Sequence, residues 1–120
     1  MNSLLAKEIL DRRQLLETEL ARYLKILSDV ADLERVIVFG SLVEGNVSRW
    51  SDIDLVIVQK TDLPFFSRLR AVRRLLRPRV ATDLLVYTPS EFKQLSKSRL
   101  FIQQEILVRG KVVYERSIRH

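Results

Sequence analysis

The chain contains no cysteine, and its one histidine is His120. Without thiols it can form neither a disulfide framework nor a thiolate metal site. Zinc prefers nitrogen and sulfur ligands, so a zinc site is nearly excluded. Any catalytic metal must therefore be held by oxygen ligands, which favours magnesium or manganese.

Long apolar runs are missing as well. No stretch approaches the roughly 20 residues needed to cross a bilayer, and residues 1–14 lack the continuous apolar core of a secretory signal. We therefore expect a cytoplasmic protein. The 120 residues are 47% hydrophobic and 30% charged, a composition typical of a globular chain. We expect one domain, residues 1–120, that can fold alone.

Short apolar runs predict the strands. RVIVF at 35–39 and LVIVQ at 55–59 are rich in β-branched residues and bounded by turn formers. They predict strands at 36–39 and 53–58, and VATDLLVY predicts a third strand at 80–87. The segment KVVYE near the end of the chain predicts a short final strand, which follows Gly110.

Apolar residues at helical spacing predict the other elements. One or two helices are expected over 2–32. A second helix is expected after a cap at Thr61 or Asp62, with Pro64 in its first turn, ending at Pro78. A capping box at 88–91 begins another helix that reaches about residue 108, with a break near 96–98. This order of elements predicts an α/β sandwich, with helices packed against a mixed β-sheet.

The net charge of +6 is unevenly distributed. Residues 68–79, RLRAVRRLLRPR, contain six arginines and no acidic residue. One interpretation is a solvated helix face. The other is a surface for a polyanion such as a triphosphate or an RNA backbone. The sequence leaves both open.

Three aspartates are candidate metal ligands. Successive side chains of a strand alternate between faces, so Asp52 and Asp54 project to the same side. Two carboxylates held close together repel each other unless a cation lies between them. Asp83 is a third acid, flanked by apolar residues, where burying a charge is costly. Together they would form an all-oxygen site for one or two Mg²⁺ ions, as in two-metal phosphoryl transfer.

Gly40 and Ser41 end the first predicted strand, ten residues before Asp52. Glycine allows the backbone to approach a phosphate closely, and Ser41 offers its N–H and hydroxyl groups as donors. A helical turn after Ser41 would add a favourable dipole. A triphosphate could therefore contact this turn while its metal ions rest on the aspartates.

This pattern resembles the signature of the polymerase-β-like nucleotidyltransferases, in which Gly-Ser is followed after ten residues by Asp-x-Asp. Asp83 falls where that family places its third acid. The resemblance implies a polymerase-β-like fold of the α/β (α+β) class. In size the chain is similar to the minimal nucleotidyltransferases, which contain the catalytic domain alone.

The resemblance also implies a function. Minimal members are often encoded beside a helical HEPN partner, a toxin-like ribonuclease, and some act as antitoxins that transfer AMP from ATP to a tyrosine of that partner. It thus implies magnesium-dependent transfer of a nucleoside monophosphate to a hydroxyl group of a partner protein or of RNA, with release of pyrophosphate. The metal-binding and catalytic residues would be Asp52, Asp54 and Asp83, and the nucleotide-binding residues would be Gly40 and Ser41.

One departure from the family pattern keeps a second hypothesis open. Many relatives carry an arginine soon after Gly-Ser, where this chain has Leu42, Val43 and Glu44. Arg49 or an arginine of residues 68–79 could take its place. The alternative to an enzyme is a non-catalytic antitoxin that neutralises its partner by occlusion. A plain RNA-binding protein is a third hypothesis, and the oligomeric state is open.

Overall fold

The computed structural model describes residues 3–116, so the expected helix residue Asn2 and the histidine His120 lie outside the described residues. The elements follow the chain as α1 (Ser3–Leu27), β1 (Leu33–Phe39), α2 (Ser41–Glu44), β2 (Ile53–Gln59), α3 (Phe65–Leu76), β3 (Thr82–Tyr87), α4 (Pro89–Ser98), a π-helix (Ile102–Val108) and β4 (Lys111–Glu115). No helix within the described residues is long and apolar enough to span a membrane.

The four strands form one mixed sheet in the order β3-β2-β1-β4. β1 pairs with β2 and with β4 in antiparallel fashion, and β2 pairs with β3 in parallel. Alternate residues along the strands project to opposite faces of the sheet, and each face has its own hydrophobic core. One face packs against α1 and α3, and the other packs against α4 and the π-helix. The predicted mixed sheet with packed helices is confirmed.

Several predicted boundaries were close, and one helix start was wrong. Thr88 and Glu91 form the predicted capping box, with Pro89 first in α4. The expected break before residue 108 occurs after Ser98. Arg99 has an extended backbone conformation, and the π-helix follows it. However, α3 begins only after Pro64, and the Thr61 hydroxyl accepts a hydrogen bond from the Leu63 N–H instead of capping the helix.

α1 is one continuous helix whose C-terminal half covers the sheet. Leu16, Tyr23 and Leu27 are buried there, and the Tyr23 hydroxyl lies 2.7 Å from the Thr82 hydroxyl in β3. Towards the N-terminus Leu4, Leu10 and Leu15 are exposed by about half or more of their surface. The N-terminal half of the helix therefore presents apolar side chains to solvent.

Two arginines of α3 bond to the outer edge of β3. Ile53 of β2 donates its N–H to the Ala81 carbonyl, so the alternate carbonyls of the segment face away from β2. Arg73 donates to the Thr82 carbonyl at 2.6 Å, and the buried Arg68 donates to the Val86 carbonyl at 3.4 Å. Arg68 also pairs with Glu91 at 2.6 Å. These two arginines therefore serve structural roles that their place in a basic run does not reveal.

Glu19 links α1 to the loop before β3. It is only 5% exposed, pairs with Arg22 at 2.7 Å, and accepts a hydrogen bond from the Arg79 backbone N–H at 2.6 Å. The hydrogen bond from Arg22 lowers the pKa of Glu19 from 4.5 to about 2. A carboxylate whose pKa is lowered by folding stabilises the fold above pH 4.5, and this contribution is lost as the pH falls towards 2.

Glu19→Gln should therefore lower the free energy of unfolding by about 2 kcal/mol at neutral pH. The difference from wild type should shrink as the pH falls from 4.5 towards 2. Urea unfolding at pH 7 and at about pH 3 measures both values. Glu17→Gln is the control, because Glu17 lies on the same helix but is 57% exposed in its pair with Arg13. Equal effects of the two substitutions would contradict the structural role of Glu19.

Candidate active site

The three predicted aspartates converge at one end of the sheet. Asp54 is the second residue of β2, Asp83 is the second residue of β3, and the parallel register places them side by side. One carboxylate oxygen from each, together with one from Asp52, lies within 4.8 Å of the others. The strand alternation that predicted a shared face for Asp52 and Asp54 thus brings all three together.

The exposure of Asp83 differs from the sequence expectation. Asp52 and Asp54 are half-buried, but Asp83 is exposed. The apolar neighbours of Asp83 suggested a costly burial, yet β3 is an edge strand, and its side chain on this face has solvent beside it. The expectation of burial was therefore wrong.

The electrostatics of the cluster suit a cation. Burial, together with the negative charges of Asp52 and Asp83, raises the pKa of Asp54 from 3.8 to about 7. Among residues 3–116, no ion pair with a Lys or Arg side chain includes any of the three. The donor set consists only of carboxylate oxygens, which suits hard divalent cations such as Mg²⁺ and Mn²⁺. The residues present therefore fit a divalent metal.

Gly40 lies directly against this cluster. Its φ of 77° falls in the left-handed region, and a Cβ atom at this position would overlap the Oδ2 atom of Asp54. Both observations require glycine. The sequence suggested that Gly40 allows a phosphate to approach, whereas the structure shows that it also makes room for the Asp54 carboxylate.

Ser41 begins the four-residue helix α2, which confirms the predicted helical turn. The Gly40 carbonyl accepts hydrogen bonds from the N–H groups of Val43 and Glu44, at 3.1 and 3.0 Å. The Ser41 hydroxyl has no hydrogen-bond partner within the described part of the chain. It is therefore available to a ligand next to the carboxylates.

An apolar wall closes one side of the cluster. Phe39 is paired with Asp54 across β1 and β2, so their side chains project to the same face. The ring of Phe101, which precedes the π-helix, packs edge-on against Phe39 at 5.8 Å. The carboxylates thus lie on the face that carries α4 and the π-helix, beside this aromatic pair.

Arginines near the site were harder to predict. Arg49 lies in the same loop as Asp52, but it pairs with Glu8 at 3.3 Å and lies over the ring of Trp50. Arg12 of α1 donates to the Ser51 carbonyl at 2.9 Å and fixes the backbone just before Asp52. Sequence reasoning missed Arg12, because nothing in the local pattern relates it to a loop 39 residues away.

Arg109 was also missed. It follows the π-helix and lies 3.7 Å from Glu44, the last residue of α2. The pair offsets the negative charge of Glu44 near the turn at Gly40 and Ser41. Only the packing of the π-helix against the sheet brings Arg109 to this place, so no sequence signal could have identified it.

The fold is that of a nucleotidyltransferase. The sequence matches the family model "Polymerase beta, Nucleotidyltransferase" over residues 21–119, which is most of the chain. The protein therefore belongs to this family, and it is a nucleotidyltransferase. The resemblance carried by the Gly-Ser and Asp-x-Asp pattern is confirmed.

Solved structures share the fold at low sequence identity. A protein from Sulfolobus solfataricus, provisionally assigned as a nucleotidyltransferase, has a TM-score of 0.65 and 21% identity, covering 91% of this chain and 88% of that chain. A toxin–antitoxin structure with AMP-PNP has a TM-score of 0.53 and 21% identity, with 81% and 73% covered. A mutant of the toxin–antitoxin MntA-HpeT has a TM-score of 0.51 and 19% identity, with 84% and 73% covered. Comparison with curated proteins gave no significant match.

Proposed function

We propose that this protein is a magnesium-dependent nucleotidyltransferase that moves AMP from ATP to a hydroxyl group of a partner protein or of RNA. The observation that carries the proposal is the convergence of Asp52, Asp54 and Asp83, with oxygens within 4.8 Å of one another, beside the glycine turn at Gly40. Membership of the nucleotidyltransferase family supports the reaction type. The catalytic and metal-binding roles of the three aspartates are part of the proposal.

Asp52 and Asp54 would hold two Mg²⁺ ions, and Asp83 would share one of them. When bound, the ions would polarise the phosphoryl oxygens and stabilise the leaving pyrophosphate. Mn²⁺ could replace Mg²⁺ at an all-oxygen site. The raised pKa of Asp54 supports this assignment, because three carboxylates this close are stable together only with compensating positive charge.

The other residues bind and orient the reactants. Gly40 and Ser41 would hold the triphosphate through backbone N–H groups and the Ser41 hydroxyl. The acceptor oxygen would bond to the α-phosphorus as the bond between that atom and the bridging oxygen of pyrophosphate breaks. Asp83, which is exposed, would accept the proton of the acceptor hydroxyl.

A HEPN-type toxin is the partner that we propose to test first. Two toxin–antitoxin structures share this fold, and one of them contains AMP-PNP, so an adenine nucleotide is the first donor to try. A cytoplasmic location fits this role and remains a prediction.

The test is the intact mass of both chains after the protein is incubated with its candidate partner, ATP and Mg²⁺. We expect the partner to gain the mass of one or more adenylyl groups, and we expect no gain when EDTA is present. Donor binding can be followed separately, because the sole tryptophan, Trp50, is 79% exposed and lies two residues before Asp52. Nucleotide binding without any gain in mass on a protein or an RNA would contradict the proposed transfer.

A non-catalytic subunit is the alternative. The observation that favours it is the end of α2, where a triphosphate needs positive charge but Arg109 only offsets the acid Glu44. A subunit of this kind would neutralise its partner by occlusion alone. It predicts that neutralisation needs neither ATP nor Mg²⁺, whereas the enzyme needs both.

A further inference from the structure

Five arginines on and after α3 form a surface of one charge, which we call the arginine surface: Arg70, Arg73, Arg74, Arg77 and Arg79. All five are exposed, and among residues 3–116 none belongs to an ion pair. The sixth arginine of the basic run, Arg68, is buried in its pair with Glu91 and is not part of this surface. These five positive charges are therefore exposed without an ion-pair partner among the described residues, although Arg73 also donates to the Thr82 carbonyl.

The arginines share one side of the helix. At 100° per residue, four side chains fall within about a quarter to a third of the helix circumference: Arg70, Arg73, Arg74 and Arg77. Phe66, which is 70% exposed, begins the same stripe. From Phe66 to Arg77 the stripe is about 16 Å long. An exposed aromatic ring among arginines offers both a stacking surface and phosphate contacts.

Near its C-terminal end the stripe reaches the edge of β3 one residue from Asp83, whose carboxylate projects to the other face of the sheet. Arg73 donates to the Thr82 carbonyl at 2.6 Å, and Thr82 immediately precedes Asp83. Arg77 lies in the left-handed region with φ 47°, where glycine or asparagine is the usual residue. An arginine at that position keeps a positive charge at the end of the stripe despite the unfavourable backbone conformation.

We propose that the arginine surface binds single-stranded RNA and leads its 3′ end to Asp83. This inference rests on the proposed function and selects RNA from the two acceptors left open there. The charge of the surface favours RNA over a protein: arginine is also common at protein interfaces, but five arginines without an ion-pair partner among residues 3–116 match the repeated negative charge of an RNA backbone. The stripe itself carries four of these arginines, and Phe66 is the exposed aromatic ring at its start.

The first test is the binding of a short oligouridylate labelled at its 5′ end, measured by fluorescence anisotropy between about 50 and 200 mM salt. We expect the affinity of the wild type to fall steeply with salt. Arg70→Gln/Arg74→Gln should bind about tenfold more weakly, with a log–log salt slope reduced by about 1 for each arginine. Lys93→Gln/Lys97→Gln removes two charges from α4 near Glu34 and Val58, at the end of the sheet away from the carboxylates, and should bind like the wild type.

The second test concerns the end of the RNA. With ATP and Mg²⁺, an oligouridylate with a 3′ hydroxyl should be extended by one nucleotide, whereas one with a 3′ phosphate should bind equally well but remain unchanged. Arg70→Gln/Arg74→Gln should raise the KM for RNA and leave kcat nearly unchanged, because these arginines lie outside the carboxylate cluster.

Asp54→Asn separates this proposal from the proposed function. It should bind RNA as tightly as the wild type, because it lies outside the arginine surface. The proposal is overturned if the wild type binds RNA no better than Arg70→Gln/Arg74→Gln, or if the partner protein gains adenylyl groups while RNA is neither bound nor extended. In that last result the nucleotidyltransferase activity stands and only the RNA surface fails.

Discussion

Asp54→Asn is expected to reduce nucleotidyl transfer by about 1,000-fold while leaving the fold intact. Asparagine keeps the volume of the side chain but removes the charge that a divalent cation requires at the centre of the cluster. Asp54 is the member that lies inside β2, beside both Gly40 and Asp83. The intact-mass assay with ATP and Mg²⁺ measures the loss of transfer.

The same substitution should have the opposite effect on the stability of the metal-free protein. Folding raises the pKa of Asp54 from 3.8 to about 7, mainly through burial. The stabilising contribution of the neutral carboxyl is thus complete below pH 3.8 and is lost as the pH rises through about 7. In EDTA, the wild type should therefore lose stability between about pH 4 and pH 7, and Asp54→Asn should lose less, by on the order of 1 kcal/mol.

Asp62→Asn is the matched control for both measurements. Asp62 is an exposed aspartate that precedes α3 in the sequence, as Asp54 does. It is not part of the carboxylate cluster. It should leave transfer unchanged and follow the pH dependence of the wild type. Retention of transfer by Asp54→Asn would refute the assignment of Asp54 as a metal ligand.

Gly40→Ala is expected to reduce transfer by about 100-fold and to destabilise the protein by about 2 to 3 kcal/mol. The added methyl group would meet the Oδ2 atom of Asp54, and the backbone φ of 77° disfavours any residue with a Cβ atom. The Asp54 carboxylate must move to relieve the overlap. Both catalysis and stability should therefore suffer together, as measured by the mass assay and by urea unfolding.

Gly45→Ala separates the two causes. Gly45 has a similar φ of 80°, but a Cβ atom there would have no other atom within 4 Å. It should cost only about 1 kcal/mol, with activity nearly unchanged. In addition, Gly40→Ala/Asp54→Ala should be more stable than Gly40→Ala alone, because the overlapping oxygen is gone. Equal costs for the Gly40 and Gly45 substitutions would show that backbone strain alone acts at Gly40.

Much of the candidate site could be predicted from local chemistry. The alternation of side chains along a strand is enough to place Asp52 and Asp54 on one face. Their spacing from Gly40 and Ser41 then identifies the turn that faces them. The capping box at Thr88 could also be predicted, because both of its hydrogen bonds are made within four residues.

The parts that failed depend on packing between distant segments. The exposure of Asp83 follows from the position of β3 at the sheet edge, which strand propensity cannot reveal. The sequence had placed Pro64 inside the first turn of α3. In the structure Pro64 immediately precedes the first helical residue, so the helix starts later than predicted. The sequence alone does not distinguish Arg68 from its basic neighbours, whereas the fold buries it against Glu91.

The two arginine contacts on β3 have a consequence for how other chains can dock. An edge strand normally offers its outward carbonyls to a further strand, but those of Thr82 and Val86 already accept from Arg73 and Arg68. A partner that extends the sheet would be directed to β4, on the far side of β1 from Asp54. Such a complex would leave the carboxylates open to substrate, so a partner bound by strand addition would not block the active site.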